Sequence, residues 1–444
     1  MKFDNWARRA VPAGVALTVL ATAVPAAAAE APTELISIAS SGAQGAGHGI
    51  KYTLPQVSGD GRFVAFRSAA TDIVPGDGNG TTDIFLRDRS FKETTLVSVA
   101  SNGRQANGWS DGATLNADGR YVAFRSAADN LTPGGDTNDV PDIFVRDRVS
   151  ERTTMVSRPA AGGQANDQSI DPSISADGRF IAFTSLADNL VPGDANLSDV
   201  FVRDMQTGTV TLASVSNTGE QANGNAGEPK ISADGRYVTF RSRATNLVAG
   251  DTNGRLDVFV RDLQAGTTTR VNVATGGAQS KAEATVSSAV MAGRYVTFWS
   301  DADDLVPEDT NKAGDVFVRD LQDGTTSRVS VSSTGGQSES ESWSPVISGD
   351  GRYVAFVSAA RNLGGHDWGR PMSRLYVHDR LTGATRQGNL TNSGAPANGA
   401  DRSPAISADG STVVYESGST NLVDGYVANS WNAFSTRISA ITGS

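Results

Sequence analysis

Hydrophobic positions along this chain follow one pattern that recurs seven times. The clearest copy reads ISADGRYVTFRSRATNLVAGDTNGRLDVFVRDLQAGTTTRVNVA, and every copy carries a marker glycine in its first polar turn. The marker glycines are Gly61, Gly119, Gly178, Gly235, Gly293, Gly351 and Gly410, at successive separations of 58, 59, 57, 58, 58 and 59 residues. Self-similarity at a nearly fixed period indicates that one supersecondary unit is stacked repeatedly.

Four short apolar segments make up each copy. In the clearest copy they cover residues 229–232, 237–242, 257–262 and 268–273, and clusters of Gly, Asp and Asn separate them. β-branched and aromatic residues dominate these segments, which predicts strands. No segment of useful length has helical periodicity, so the pattern indicates an all-β chain.

The connections between these strands alternate between short and long. Ala-Asp-Gly-Arg joins the first strand to the second, whereas about 15 residues separate the second from the third, from Ser242 to Asp257. Antiparallel strands connected in this way form one propeller blade, so the sequence predicts a seven-bladed β-propeller of four-stranded antiparallel blades. Both long connections of every blade emerge on one face, the long-loop rim, and the tight turns emerge on the opposite face.

The two ends of the chain predict how the ring closes. The seventh copy stops where its fourth strand should begin, while residues 35–39 (LISIA) match residues 96–100 (LVSVA), which are assigned to a fourth strand. An N-terminal strand that completes blade 7 would remove an exposed sheet edge. We therefore expect the N-terminal strand to close the ring.

The N-terminal residues predict export. Basic residues, an apolar run and small residues ending at Ala29 are typical of a secretory signal peptide over residues 1–29, which leaves residues 30–444 as a single propeller domain. Arg8 and Arg9 resemble a twin-arginine signal, but the residues after them favour the general secretory route. No other apolar stretch is long enough to span a membrane.

Composition narrows the possible partners. The chain has 38 Lys and Arg against 48 Asp and Glu, a net charge of −10, which disfavours a nucleic-acid partner because phosphate binding needs clustered cations. It contains no cysteine, so core burial must stabilise the exported domain without disulfides. We expect a monomer.

A recurring Asp-x-Asn motif with a later Asp lies in the loop between the second and third strands of five blades. Alternating oxygen groups suit a hard cation such as calcium, although Asx-turns that cap the loop backbone explain the same pattern. The candidate calcium ligands are Asp77, Asn79 and Asp83; Asp136, Asn138 and Asp142; Asp194, Asn196 and Asp199; Asp251, Asn253 and Asp257; and Asp309, Asn311 and Asp315.

Two other sets of residues stand out on the long-loop rim. A glutamine recurs in the connection between blades, at Gln105, Gln164, Gln221, Gln279 and Gln337, and is interpreted as a hydrogen-bonding residue between blades. His48, Trp343, His366 and Trp368 occur where the repeat loses its symmetry. These four residues form a candidate surface for a ligand or partner, with packing of Trp343 against Trp368 as the alternative.

Motifs for catalysis are weak. Residues 108–112 match the Gly-x-Ser-x-Gly pattern of serine hydrolases, but no helix is predicted after them, so the match is attributed to chance. His378 replaces a strand arginine and is interpreted as a packing residue. Carboxylates are plentiful, yet no position identifies an acid and base pair.

The repeated Ser-Ala-Asp-Gly-Arg, Tyr-Val-Ala-Phe and Asp-Val-Phe-Val-Arg-Asp segments resemble the WD-like propeller repeat of the TolB type, over residues 33–444. Blade 5 departs from it, with Ala292 for the turn aspartate. The resemblance implies an exported bacterial protein with partners in the cell envelope. We therefore predict a secreted binding or scaffold propeller that presents its long-loop rim to a protein or cell-envelope polymer. The alternative is an extracellular lyase or hydrolase that acts on polysaccharide at the channel mouth.

Overall fold

The chain folds into seven four-stranded antiparallel sheets, and each corresponds to one copy of the sequence pattern. The computed structural model describes residues 32–45, 54–195, 197–281, 290–364, 372–426 and 431–443. The first strand of each blade contacts the first strands of both neighbouring blades, so these strands surround the central channel. The predicted seven-bladed β-propeller is confirmed.

The strand bounds follow the repeat. Blade 1 contains β2 (Gln56–Val57), β3 (Phe63–Ser68), β4 (Asp83–Asp88) and β5 (Glu93–Leu96). Blade 2 contains β6 (Ser110–Leu115), β7 (Tyr121–Ser126), β8 (Asp142–Asp147) and β9 (Arg152–Met155). Blade 3 contains β10 (Ser169–Ile174), β11 (Phe180–Ser185), β12 (Asp199–Asp204) and β13 (Val210–Leu212). Blade 4 contains β14 (Ala226–Ile231), β15 (Tyr237–Ser242), β16 (Asp257–Asp262) and β17 (Thr267–Arg270).

The remaining blades keep the same order. Blade 5 contains β18 (Val290–Ala292), β19 (Tyr295–Ser300), β20 (Asp315–Asp320) and β21 (Thr325–Arg328). Blade 6 contains β22 (Ser342–Ile347), β23 (Tyr353–Ser358), β24 (Arg374–Asp379) and β25 (Ala384–Gln387). Blade 7 contains β26 (Asp401–Ile406), β27 (Thr412–Ser417), β28 (Asn432–Arg437) and the N-terminal β1 (Thr33–Leu35), and a short helix α1 (Ile438–Thr442) follows β28. Nowhere in the described ranges is a helix long and apolar enough to cross a membrane.

The N-terminal strand closes the ring, as predicted. β1 pairs antiparallel with β28, with Leu35 opposite Phe434. The matched segment 35–39 is nevertheless not the strand itself, because β1 ends at Leu35 and Ile38 already bridges Gln44 in the following turn. Val99 and Gln105 form the same bridge after blade 1, so the sequence match identified a strand end and the turn that follows it.

Two stacked aromatic rings fill the centre of every blade, one from the second strand and one from the third. The centroids of each pair lie between 5.6 and 6.2 Å apart. The pairs are Phe66–Phe85, Phe124–Phe144, Phe183–Phe201, Phe240–Phe259, Phe298–Phe317, Phe356–Tyr376 and Tyr415–Phe434. Stacking of this kind adds about 0.5–1.5 kcal/mol per pair beyond the burial of apolar area.

Adjacent blades contact each other through the marker glycines. A Cβ added to Gly178 would lie 2.3 Å from Cδ2 of Tyr121 in the preceding blade, and one added to Gly235 would lie 2.3 Å from Cδ2 of Phe180. Both glycines also have positive φ, at 77° and 71°. The repeat therefore needs glycine at this position for two reasons, the backbone conformation and the close approach of the neighbouring ring.

Replacement of Gly178 by alanine separates these two reasons. We expect G178A to lower the free energy of unfolding by about 3 kcal/mol, because it adds a steric clash to the strained φ. G276A is the matched control: Gly276 has φ of 91° but nothing within 4 Å of an added Cβ, so a cost of only about 1 kcal/mol is expected. Equal losses for the two variants in urea denaturation would contradict the close contact.

Candidate functional site at the long-loop end of the channel

The last aspartate of each Asp-x-Asn motif is fully buried at the start of the third strand. Asp83, Asp142, Asp199, Asp257 and Asp315 each begin such a strand with no exposed surface. Each carboxylate accepts a hydrogen bond from a residue two positions after the fourth strand, as when the Ser98 hydroxyl donates to Asp83 over 2.5 Å. Burial raises the pKa of Asp83 to about 6 and of Asp142 to about 7.

The asparagine of the motif serves the same carboxylate. The Asn79 amide donates to Asp83 Oδ2 over 2.8 Å, and its oxygen accepts the N–H of Thr81 over 3.0 Å in an Asx-turn. Equivalent turns occur at Asn138, Asn253 and Asn311. These contacts are the ones expected if the motif forms Asx-turns that cap the loop backbone, which was the alternative to calcium binding. Asn196 lies outside the described residues.

The rim glutamines join two loops of a single blade. Gln105 donates to Asp77 over 2.7 Å and to Asp83 over 2.9 Å, and its oxygen accepts the N–H of Gly78. The prediction that these glutamines form hydrogen bonds between blades is therefore wrong. The side chain of Gln105 bonds only the loop between the second and third strands of blade 1 and the first residue of that third strand, in the blade that precedes it in the chain. This contact fixes both long loops on the buried aspartate.

Blades 4 and 5 place an arginine between the two carboxylates of the motif. Arg270 Nη1 lies 3.3 Å from Asp251 and 3.5 Å from Asp257, and Arg328 makes the same pair of contacts in blade 5. The equivalent last residues of the fourth strands in blades 1, 2 and 3 are Leu96, Met155 and Leu212. In the described part of the chain, no group of three or more acidic or histidine residues is placed to hold a metal ion.

The remaining candidates from the sequence are the histidines and two tryptophans. His48, His366 and Trp368 lie outside the described residues. Trp343 was expected in a loop, but it is the second residue of the innermost strand β22, where it pairs with Val357. His378 is buried, and its Nδ1 bonds the Thr385 hydroxyl over 2.9 Å as Arg87 bonds Thr94 in blade 1. Burial lowers the pKa of His378 to about 4, which agrees with a neutral packing residue.

The innermost strands share a bulge near the long-loop end of the channel. In blade 2, Asp111 pairs with Arg125 and Thr114 with Ala123, so two residues oppose one. A residue of the bulge has positive φ in each of the five blades in which the bulge is described. These residues are Gly112, Asp171, Glu228, Ser344 and Ser403. Backbone strain of this kind costs about 1–3 kcal/mol per residue and is concentrated at functional sites.

Charged pairs surround this end of the channel. Asp111 accepts two hydrogen bonds of 2.8 Å from Arg125 and lies 3.5 Å from Arg67 of blade 1. Glu228 pairs with Arg241 in blade 4, and the N–H of Glu228 donates to Thr184 of blade 3 over 3.1 Å. Burial raises the pKa of Glu228, and Arg241 opposes that shift. Arg67 and Arg125 thus share one carboxylate, while Arg241 faces Glu228.

Blade 7 contributes one more pair. Arg402 pairs with the fully buried Glu416, and Glu416 also accepts the N–H of Leu54 in blade 1. The Arg402 guanidinium lies 3.9 Å above the ring of Trp431. An ion pair and an indole ring therefore lie side by side at this end of the channel.

All four tryptophans in the described ranges lie at this end of the blades and are half-buried. Trp109 immediately precedes β6 and lies 4.8 Å below the Arg125 guanidinium, and Trp431 immediately precedes β28. Trp299 is the fifth residue of β19, and Trp343 is the second of β22. We define the channel mouth by these four tryptophans and the charged pairs of Asp111, Glu228 and Glu416.

Sequence reasoning missed most of this mouth, although a signal was present. The fifth residue of the second strand changes from blade to blade, whereas the Phe or Tyr before it and the Ser after it barely change. The variable residues are Arg67, Arg125, Thr184, Arg241, Trp299, Val357 and Glu416. Variation at one position of an otherwise constant repeat indicates that the propeller fold does not require a particular side chain there.

Comparison with known proteins supports the fold. No family model and no curated protein matches the chain. A structure of oligogalacturonate lyase in complex with manganese aligns with TM-score 0.52 and 13% identity over 88% of this chain and 89% of that one. A prolyl endopeptidase aligns with TM-score 0.52 and 13% identity over 86% of this chain but only 49% of that one.

The resemblance to TolB-type repeats is supported only at the level of the propeller. A protein described as TolB from Agrobacterium tumefaciens aligns with TM-score 0.39 and 15% identity over 78% of this chain and 94% of that one. At such identities the likeness concerns architecture. The described residues also contain no cluster that fits the manganese of the lyase structure.

Stability should be greatest at mildly acidic pH. Asp83, Asp142 and Asp315 have folded pKa values raised to about 6 or 7, so their contribution is full below about pH 4 and is lost as pH rises to 7. Asp262 and Asp379 have pKa values lowered to about 2 by arginine partners, so their contribution is lost below pH 4. We expect Tm to peak near pH 4–5, and a Tm that rises steadily from pH 5 to 8 would contradict the burial of the unbalanced aspartates.

Proposed function

We propose that this chain is an exported binding propeller that takes a carbohydrate polymer of the cell envelope or its surroundings at the channel mouth. The observation that carries the proposal is the occurrence of all four described tryptophans and three sets of charged pairs at the long-loop end of the blades. Export rests on the predicted signal peptide, which lies outside the described residues.

Carbohydrate suits this mixture of side chains better than other ligands. Half-buried indole rings offer flat apolar faces to the C–H face of a sugar ring, while guanidinium and carboxylate groups donate to and accept from its hydroxyls. Bonds to charged groups are the stronger ones, and the ion pairs fix the directions of these groups. A rigid set of polar groups beside apolar surface is typical of small-molecule and sugar sites.

The internal ion pairs of the mouth favour a neutral polymer. Arg67 and Arg125 share Asp111, Arg241 has Glu228, and Arg402 has Glu416, so each guanidinium named here already faces a carboxylate. A polyuronate would have to compete with these internal carboxylates. Oligogalacturonate, which the lyase with a similar fold acts on according to its name, is therefore the less favoured ligand here.

An enzyme acting on the same polymer is the second candidate. Glu228 lies on a bulge with φ of 52°, and burial raises the pKa of its carboxyl toward the range that a general acid or base needs. Arg241 beside it is a cation that would stabilise negative charge developing in a lyase or hydrolase reaction.

Trp431 provides the sharpest test of the binding site. We expect W431A to weaken retention in affinity electrophoresis by a neutral glucan about tenfold, because it removes the ring beneath Arg402. F91A is the matched control, since Phe91 is 75% exposed but follows β4 on the tight-turn face. Equal binding by W431A and wild type, or preferential retention by polygalacturonate, would contradict the proposal. Release of new sugar ends by wild type and not by E228Q would favour the enzyme instead.

We propose calcium binding only for the Asp-x-Asn loops of blades 1, 2 and 3. Without an arginine between them, Asp77 and Asp83 form a pair whose charge a divalent cation would balance, whereas Arg270 and Arg328 do so in blades 4 and 5. We expect millimolar calcium to raise Tm, and the triple variant L96R, M155R and L212R to reduce that shift by more than half. R104L, at an exposed rim arginine, is the control. An unchanged Tm with calcium would leave the Asx-turns as the complete account of these loops.

A further inference from the structure

The residue after the third strand of each blade occupies one equivalent position on the tight-turn face. Its N–H donates to the carbonyl of the arginine or serine that follows the marker glycine, at distances between 2.8 and 3.0 Å. The seven residues are Arg89, Arg148, Met205, Leu263, Leu321, Arg380 and Ile438. Arginine thus occupies this position in blades 1, 2 and 6, and an apolar residue occupies it in the other four.

Where arginine is present, it fills the cleft between two blades. The Arg148 guanidinium lies 4.7 Å over the ring of Phe63 in the preceding blade, and its Nη1 donates to the Gly119 carbonyl over 2.8 Å. Arg380 repeats this arrangement, 4.0 Å over Tyr295 and 2.6 Å from the Gly351 carbonyl. Two blade junctions thus show the same recognition of a guanidinium by an aromatic face and a backbone carbonyl.

Each of these rings carries a second guanidinium as well. Arg62 lies 4.6 Å over Phe63, and Arg294 lies 5.0 Å over Tyr295. The turn arginine that precedes the ring makes the same contact at other junctions, as with Arg120 at 4.8 Å over Tyr121 and Arg236 at 4.8 Å over Tyr237. The turn arginine therefore stacks on the ring both at junctions that contain the arginine after the third strand and at junctions that lack it.

At two of the four junctions where the arginine is replaced, a cleft is present. Met205 replaces it between blades 2 and 3, beside a cavity of about 530 Å³ lined by Tyr121, Asp147, Asp177 and Gly178. Phe63, Asp88, Asp118 and Gly119 are the equivalent residues at the Arg148 site. Arg179 and Arg152 also line the cleft, and Arg152 stands where the Arg148 site has Glu93. The cleft thus keeps the ring, the marker glycine and the two aspartates of an arginine site but lacks the arginine.

The junction of blades 4 and 5 has a second cleft of the same kind. Leu321 replaces the arginine there, beside a cavity of about 720 Å³ lined by Tyr237, Asp262 and Gly293, with Arg236 and Arg294 also at its wall. Gly293 is also the marker glycine whose added Cβ would meet nothing within 4 Å, so the preceding ring approaches it less closely than at Gly178. The wider cavity follows from this looser contact.

We propose that these two clefts bind arginine side chains from a basic segment of a partner protein. The aromatic face and the backbone carbonyl are the groups that hold Arg148 and Arg380 within this chain. Arginine fits this site better than lysine, because its planar guanidinium can stack on a ring and donate at its edge at the same time. The net charge of −10 favours approach of a basic segment.

The test uses short peptides and the full propeller domain. Acetyl-Gly-Arg-Gly-amide should bind with a Kd on the order of millimolar, and the same peptide with citrulline, which has arginine's shape without its charge, should bind at least about tenfold more weakly. M205R and L321R should each occlude one cleft with an internal arginine, so that the double variant loses binding while its Tm is equal to or above that of wild type. Binding of the citrulline peptide at equal strength would overturn the proposal.

Arg148 provides the matched control in the opposite direction. R148M should open a third cleft over Phe63 and add one binding site for the arginine peptide, as counted by isothermal titration calorimetry. Tm measured in parallel shows whether R148M remains folded, and a crystal structure of L321R should show its guanidinium over Tyr237. An L321R side chain directed into solvent, or a double variant that binds the peptide as wild type does, would overturn the proposal. These variants lie on the face opposite the channel mouth, so their failure would be separate from failure of the carbohydrate site.

Discussion

The buried aspartate at the start of the third strand is the constraint on which the long-loop rim depends. A carboxylate with no exposed surface must have its oxygens satisfied, and Asp83 achieves this with the Ser98 hydroxyl, the Asn79 amide and Gln105. These donors come from both long loops of the blade. One side chain therefore determines where both loops lie, and replacing it would leave three donors without their acceptor.

This arrangement separates positions that build the propeller from positions that are free to vary. The stacked rings and the arginine–aspartate pairs of the tight turns recur because they join the strands of each blade, and the marker glycines recur because a side chain of the preceding blade approaches most of them. The fifth residue of the second strand makes no contact that all seven blades share, and it ranges from Thr184 to Trp299 to Glu416. The residue after the third strand varies for the same reason. Both proposed sites use positions of this second kind.

Periodicity predicted the architecture well because strand identity depends on local pattern. The expected third strand 257–262 coincides with β16, and ring closure through the N-terminus was correct, although β1 ends where the matched segment begins. The channel mouth was not predictable in this way, since a bulge moves Asp111 and Glu228 relative to their partners and no single repeat contains Arg67 and Asp111 together. Contacts between blades depend on the closed ring, which sequence spacing does not describe.

Blade 6 shows how the asymmetry of the mouth arises from the buried charge. Arg374, 3% exposed, begins its third strand in place of the aspartate, and the N–H of Leu375 donates to Asp401 of blade 7 over 3.1 Å instead of to a hydroxyl of its own blade. Burial raises the pKa of Asp401 to about 7. The sign of the charge at the strand start is thus inverted, and the acceptor has moved to the innermost strand of the next blade.

In blades 1 and 3 the rim contacts of asparagine and glutamine are made to the carboxylate at the start of the third strand. Blade 6 has Arg374 at that position, so it offers no carboxylate for these contacts. Asp401 is the neighbour in β26 of Arg402, whose guanidinium covers Trp431. The bond from Leu375 to Asp401 therefore connects the start of the third strand of blade 6 to the channel wall of blade 7. At this junction the loss of symmetry in the repeat and the composition of the mouth involve the same strand.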